Sequence, residues 1–300
     1  MRAQADGMSL TGLFVPLITP FTTGGELAAD ALAGLAHRVL DAGAAGLVAL
    51  GTTGEPATLS PEERARVLDV CASVCAERSV PLLAGAGTNC TADSVRALAA
   101  LDPRVSAALT VVPYYTRPSQ PGVVAHFRAL AAASPLPLVV YNIPYRTGRT
   151  LDTETLREVA EIPNVIGFKH SAGVVDDTTA AFLATHAHRT AILAGDDVLA
   201  PALLALGATG AILAAANIAP AQYAGMLAHW HSGRLTEARR TAHQLTPLSS
   251  ALFAEPNPTV LKTVLTREGH IPSPTVRLPL LPASEASTEA ALHALHALEN

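Results

Sequence analysis

Eight short runs rich in Val, Ile, Leu and Ala recur between Leu13 and roughly His231, separated by amphipathic stretches of a dozen or so residues, and this rhythm restricts the fold more than any other feature. The runs are LFVPLI (13–18), GLVAL (46–50), VPLLAG (80–85), SAALTVV (106–112), LPLVVY (136–141), NVIGF (164–168), TAILAG (190–195) and TGAILA (209–214). They lack polar alternation, which suits strands covered on both faces, as in a parallel sheet wrapped by helices. Eight such units in about 220 residues predict an α/β fold of the closed TIM (β/α)8 barrel type. The alternative, an open doubly wound sheet, calls for a Gly-rich dinucleotide loop after the first strand. The chain there reads TPFTTGGELAAD (19–30), without the fingerprint.

Helix signals fill the intervals. Ser60-Pro61-Glu62-Glu63 supplies a cap, a proline at the first helical position and early carboxylates, and Asp196 is expected to cap the segment after Gly195. Beyond His231 the strand signal stops. Segments 234–253, 257–269 and 288–298 read as helices, with Asn257 as cap of the second and Pro258 behind it. The expected organisation is an N-terminal extension (1–12), the barrel (13–232) and a small C-terminal helical appendage (233–300).

Composition excludes several function classes. A net charge of −5 without a basic run leaves no electrostatic footprint for nucleic acid. Met1–Thr11 has no apolar run long enough for a signal peptide, and later apolar stretches are broken by Gly, Pro or charge, so a soluble cytoplasmic protein with no membrane partner is expected. The three cysteines, Cys71, Cys75 and Cys90, lack the remaining ligands of a zinc site and are expected to be buried reduced thiols. The 11 His form no HxH or HExxH arrangement, which argues against a zinc-dependent aldolase.

The chain holds 20 Lys plus Arg, of which only Lys169 and Lys262 are lysines. Lys262, within VLKTVL on a helical stretch, reads as a snorkelling or surface side chain. Lys169 follows VIGF at the C-terminal end of the sixth run, where barrel enzymes place catalytic groups. An ammonium among apolar strand side chains is penalised by desolvation, which lowers its pKa and frees the amine to attack a carbonyl. Arg cannot do this, because its guanidinium stays protonated. A structural ion pair is the competing reading.

Other candidates cluster after neighbouring runs. Gly51-Thr52-Thr53-Gly54-Glu55 offers small residues and two hydroxyls around an anion, or an ordinary turn. Tyr141 ends the fifth run and Tyr114-Tyr115 follow the fourth; a phenol near a carbinolamine can pass protons, with Thr hydroxyls extending the relay. Arg146 and Arg149 in YNIPYRTGRT could clamp a carboxylate or lie on the surface. His170 points to the face of the strand opposite Lys169 and reads as structural.

In order and spacing, GTTGE (51–55), PYYTRPSQ (113–120), YNIPYRTG (141–148), GFKHSAG (167–173), GDD (195–197) and EPNP (255–258) resemble the dihydrodipicolinate synthase family of the N-acetylneuraminate lyase superfamily, from about Leu13 to Pro282. The resemblance implies that Lys169 forms a Schiff base with pyruvate and that Thr52 and Thr53 bind the pyruvate carboxylate. It makes Tyr141 the acid/base phenol, relayed through Thr53 to Tyr115, which crosses to a neighbouring subunit. Arg146 would receive the carboxylate of aspartate semialdehyde, and Gly195 and Ile212 would line the pocket through their backbone. No metal or organic cofactor is implied, and the usual assembly is a homotetramer, a dimer of dimers. His170 stands where such synthases commonly carry Glu, and LAAAN (213–217) where SVTAN is usual. A related class I aldolase acting on a sugar acid, sialic acid or 4-hydroxy-2-oxoglutarate is the alternative, and a non-catalytic 2-oxo-acid-binding paralogue a further one.

Overall fold

The structure is a computed structural model, and it describes residues 10–298. The reading that Met1–Thr11 carries no signal peptide, and most of the extension 1–12, fall largely on residues 1–9, outside the described residues.

A strand falls on each of the eight apolar runs: β1 (Gly12–Pro16), β2 (Gly46–Ala49), β3 (Leu82–Gly85), β4 (Ala107–Val111), β5 (Leu138–Asn142), β6 (Val165–His170), β7 (Ala191–Ala194) and β8 (Gly210–Ile212), with β1, β5 and β6 running one or two residues past their runs. They close a barrel in sequence order, so the open sheet is ruled out. The helices between and after them are α1 (Ala29–Asp41), α2 (Pro61–Arg78), α3 (Thr91–Ala99), α4 (Gln120–Ala133), α5 (Pro144–Thr147), α6 (Thr153–Ala160), α7 (Asp177–His186), α8 (Ala200–Ala205), α9 (Pro220–His231), α10 (Leu235–Leu252), α11 (Thr259–Arg267) and α12 (Glu285–His296). Among the described residues no helix is long and apolar enough to cross a membrane.

The chain forms two compact units. One runs over 81–212 and holds β3 to β8, paired in parallel from neighbour to neighbour. Its register sets Tyr141 beside Lys169, and Asn142 beside His170. Leu138, Val139, Val140 and Phe168 are fully buried, as expected for strands covered on both faces.

The other unit combines 12–80 with the residues after 212. β1 pairs with β2 in parallel here. Buried Asn217 holds this unit together: its Nδ2 donates to the carbonyls of Pro16 at 2.8 Å and Ala214 at 2.9 Å. Arg38 donates to the carbonyls of Asn217 and Ile218, each at 2.8 Å, so a guanidinium satisfies backbone that apolar packing would strand.

Side-chain caps open α2, α4, α6, α7 and α12. Ser60 accepts from the Glu63 N–H at 3.2 Å and Glu63 returns the bond to the Ser60 N–H at 2.9 Å, the capping box that the sequence signals. Asp196 does not cap a helix: its Oδ2 accepts from the Gly173 N–H at 2.8 Å, and α8 begins only at Ala200. Asn257 is likewise no cap, since its amide turns to Thr53 Oγ1 at 3.0 Å and α11 starts beyond Pro258. The last helix opens three residues earlier than its periodicity suggests, because Ser284 caps it by accepting from the Ser287 N–H.

Cys71 and Cys75 are buried and burial raises both thiol pKa values, whereas Cys90 is exposed, contrary to expectation, at the residue preceding α3.

Truncating Asn217 to Ala removes the donor to two carbonyls at about 1–3 kcal/mol each, so Asn217→Ala should lower the unfolding free energy by roughly 2–6 kcal/mol. Urea unfolding measures this, and a loss under about 0.5 kcal/mol would contradict the assignment.

Candidate active site

Lys169 is the penultimate residue of β6, 6% exposed, with an aliphatic stem seated among strand side chains. Burial lowers its pKa from 10.5 to about 8, opposed by the negative charges of Asp197 and Asp196 and helped by the nearby positive charge of Arg146. The register partner Tyr141, on β5, lies against it: Lys169 Nζ is 4.3 Å from the centre of the Tyr141 ring. Residues paired in a parallel ladder point to the same face, so the strand pairing that builds the sheet also brings amine and phenol together.

Gly195 follows β7 and is held by its N–H to the His170 carbonyl at 2.9 Å. A Cβ at this position would overlap Ser171 Oγ and lie 2.9 Å from Lys169 Cγ and 3.1 Å from Cε. Only glycine leaves room for the lysine stem here. Ser171 is fully buried, and among the described residues its hydroxyl has no hydrogen-bond partner beside that stem. Ile212, the last residue of β8, is fully buried.

Neighbours on the opposite strand face are neutral. His170 Nδ1 faces Asn142 Nδ2 at 3.4 Å, and Nε2 faces Thr179 Oγ1 at 3.2 Å. With the amide donating to Nδ1, the ring donates through Nε2. Burial lowers the His170 pKa to about 4, so it adds no charge near Lys169 at neutral pH. The structural reading of His170 from strand alternation agrees with this placement.

The loop after β5 carries α5. Arg146 is exposed there, and its Nε donates to the Tyr145 hydroxyl at 2.8 Å with the guanidinium 5.1 Å from the Tyr145 ring centre. Tyr145 escaped the sequence reading; partial desolvation of this otherwise exposed side chain raises its pKa, opposed by the charge of Arg146 and helped by those of Tyr141 and Asp196, which places it electrostatically with the Lys169 group. The signal available was its position between two residues already singled out. Arg149 is half-buried, with an Nε that has no hydrogen-bond partner among the described residues, and so is not the surface arginine its loop suggests. Tyr114 and Tyr115 are exposed after β4, Tyr115 at 88% with φ +67°.

In the other unit, Thr52–Gly54 form a single 3-10 turn directly after β2. Thr53 is buried and accepts from Asn257 Nδ2 at 3.0 Å, while the Gly54 carbonyl accepts from the Thr19 hydroxyl at 2.7 Å. Glu55 leaves the turn in the left-handed region at φ +52°. Its carboxylate meets Lys262 Nζ at 2.5 Å, and both side chains are at most 2% exposed. The reading of Lys262 as a surface or snorkelling residue is therefore wrong. Burial lowers its pKa to about 8, with Glu55 opposing. Its apolar neighbours Val260, Leu261, Val264 and Leu265 are all buried, so the surrounding helix face gives it no route to water.

The chain matches known proteins. The model of the Dihydrodipicolinate synthetase family matches residues 9–298. The 4-hydroxy-tetrahydrodipicolinate synthase of Thermomicrobium roseum is 42% identical over 287 residues, 95% of this chain and 94% of that one. That of Hyphomonas neptunium is 41% identical over 289 residues, 96% of this chain and 97% of the relative. Among solved structures, the chloride-inhibited dihydrodipicolinate synthase from Acinetobacter baumannii complexed with pyruvate aligns with a TM-score of 0.92 at 35% identity, covering 97% of this chain and 99% of that one. With a family match over nearly the whole length, a closed barrel and the Lys169–Tyr141 pair in register across β5 and β6, the chain belongs to the dihydrodipicolinate synthetase family.

Proposed function

We propose that this enzyme condenses pyruvate with L-aspartate 4-semialdehyde through a Schiff base on Lys169, giving 4-hydroxy-tetrahydrodipicolinate on the route to diaminopimelate and lysine. The observation that carries the reading is the buried amine of Lys169, with a pKa near 8 and Tyr141 against it. Relatives named as 4-hydroxy-tetrahydrodipicolinate synthases, and a related structure holding pyruvate, support this substrate over a sugar acid, sialic acid or 4-hydroxy-2-oxoglutarate.

The chemistry follows from the groups present. The Lys169 lone pair attacks the ketone carbon of pyruvate, and the resulting carbinolamine loses its oxygen as water after protonation by Tyr141. The iminium draws electrons from the methyl group, a C–H proton leaves, and the enamine carbon attacks the aldehyde carbon of the second substrate. That substrate's own amine then displaces Lys169 from the imine carbon and closes the ring. One water is released overall, and no electron acceptor is consumed.

In this reading Thr52 and Thr53 hold the pyruvate carboxylate, and Thr53 passes protons between Tyr141 and Tyr115. Arg146 takes the carboxylate of the aldehyde substrate. Its Nε is engaged by Tyr145, leaving the two terminal nitrogens as the fork offered to a ligand. Gly195 and Ile212 line the pocket with backbone.

We further propose a soluble cytoplasmic homotetramer, a dimer of dimers in which exposed Tyr115 reaches a neighbouring subunit's site. Sedimentation of the active species should give four times the 30.9 kDa chain mass, and full activity in a monomer would refute it.

Incubation with pyruvate and cyanoborohydride should leave a reduced pyruvyl group on Lys169, found by mass spectrometry and lost in Lys169→Ala. Only the free amine attacks, so the trapping rate should climb about tenfold per pH unit below the pKa of about 8 and level off above it. A rate still climbing at pH 9.5 would show an ordinary lysine. Gly195→Ala should slow trapping at least roughly tenfold in a folded protein, because a methyl there displaces the lysine stem. An unchanged rate would refute the packing argument.

A further inference from the structure

The 3-10 turn Thr52–Gly54 is clamped from outside its own loop, by residues around two hundred positions later in the chain. Asn257 Nδ2 donates to Thr53 Oγ1 at 3.0 Å, and Thr53 is almost fully buried. Because that oxygen already accepts, the hydroxyl proton of Thr53 is directed away from Asn257 and is available to a ligand or to the next group of a relay. The clamp thus sets which way the hydroxyl donates as well as where it sits.

The exit of the turn is held as firmly. Glu55 adopts a left-handed backbone that favours glycine, and its carboxylate is bound on both oxygens. Oε1 meets Lys262 Nζ at 2.5 Å, and Oε2 accepts from the Arg277 N–H at 3.1 Å. Lys262 also donates to the Thr275 carbonyl at 2.8 Å and lies 3.9 Å from the centre of the Phe21 ring. Arg277 covers the same ring at 4.2 Å and pairs with Glu63 near the start of α2. A buried ion pair is a weak source of stability compared with apolar residues of the same volume, but it enforces one geometry, because either charge left alone in the interior is heavily penalised.

We infer that Asn257 and the Lys262–Glu55 pair are positioning residues for pyruvate, acting through the Thr52–Thr53 turn, so that the C-terminal segment 257–277 sets affinity for the first substrate and not for the second. This rests on the reading that Thr52 and Thr53 receive the pyruvate carboxylate.

The test uses the full-length enzyme with Asn257→Ala, Asn257→Asp and the charge-neutral double variant Lys262→Met/Glu55→Gln, which leaves no buried charge stranded. Steady-state constants for each substrate are measured alongside the pyruvate concentration that gives half-maximal cyanoborohydride trapping on Lys169. Circular dichroism and thermal unfolding identify the variants that fold. Folded Asn257→Ala and the double variant should raise the pyruvate KM and the half-trapping concentration roughly tenfold, with the aldehyde KM within about twofold of the parent. Asn257→Asp should be worse than Asn257→Ala, because its carboxylate accepts from Thr53 and repels the substrate's carboxylate. Thr52→Val and Thr53→Val in the same assays separate the two readings. If they weaken pyruvate while folded Asn257→Ala and the double variant leave it unchanged, the positioning role is overturned and the carboxylate site stands. If the Thr variants themselves leave pyruvate binding unchanged, the carboxylate assignment falls and the inference with it.

Discussion

Taking an ammonium group out of water is the constraint on which the chemistry of this barrel depends. At the end of β6 the Lys169 stem passes through a space that apolar strands enclose, and the lost hydration makes the neutral amine the easier form to keep. Asp196 and Asp197 pull the other way, and the balance settles near pH 8, close to where a nucleophilic amine is useful. Around that amine stand glycine at 195, neutral His170 on the far face of the strand and Tyr141 in register. Glycine leaves room for the stem, the histidine adds no charge and the tyrosine sets an aromatic ring against the amine.

The second lysine shows that the same physics can have another outcome. Lys262 is buried as deeply and its pKa is lowered to about the same value, yet it meets a carboxylate at 2.5 Å and a carbonyl at 2.8 Å. Desolvation alone thus does not make a lysine a nucleophile. Both amines lie over an aromatic ring, and what separates them is the carboxylate: Lys262 is paired directly with Glu55, whereas Asp196 and Asp197 act on Lys169 through space.

Much of this is legible in the chain itself, for local reasons. Apolar runs of five to seven residues mark every strand, since a strand covered on both faces has few polar positions to spare. The capping box at Ser60 is readable because donor and acceptor lie three residues apart. Asp196 and Asn257 carry equally good cap signals and do not cap. Their side chains found partners elsewhere, the Gly173 N–H and the Thr53 hydroxyl, and nothing local announces a competitor of that kind. Tyr145 was passed over for the same reason, since its hydrogen bond to Arg146 depends on the fold of a four-residue helix.

The sequence by itself determined the strand order, the identity of the lysine at a strand end and the family, because periodicity, position and motif spacing are properties of the chain in one dimension. Only the tertiary structure decided that Tyr141 lies in register with Lys169, that Gly195 gives its stem room, and that Lys262 is sealed in with Glu55. Burial and pKa are set by what surrounds a group in three dimensions, and the residues that surround these two lysines come from strands and helices far apart in the chain.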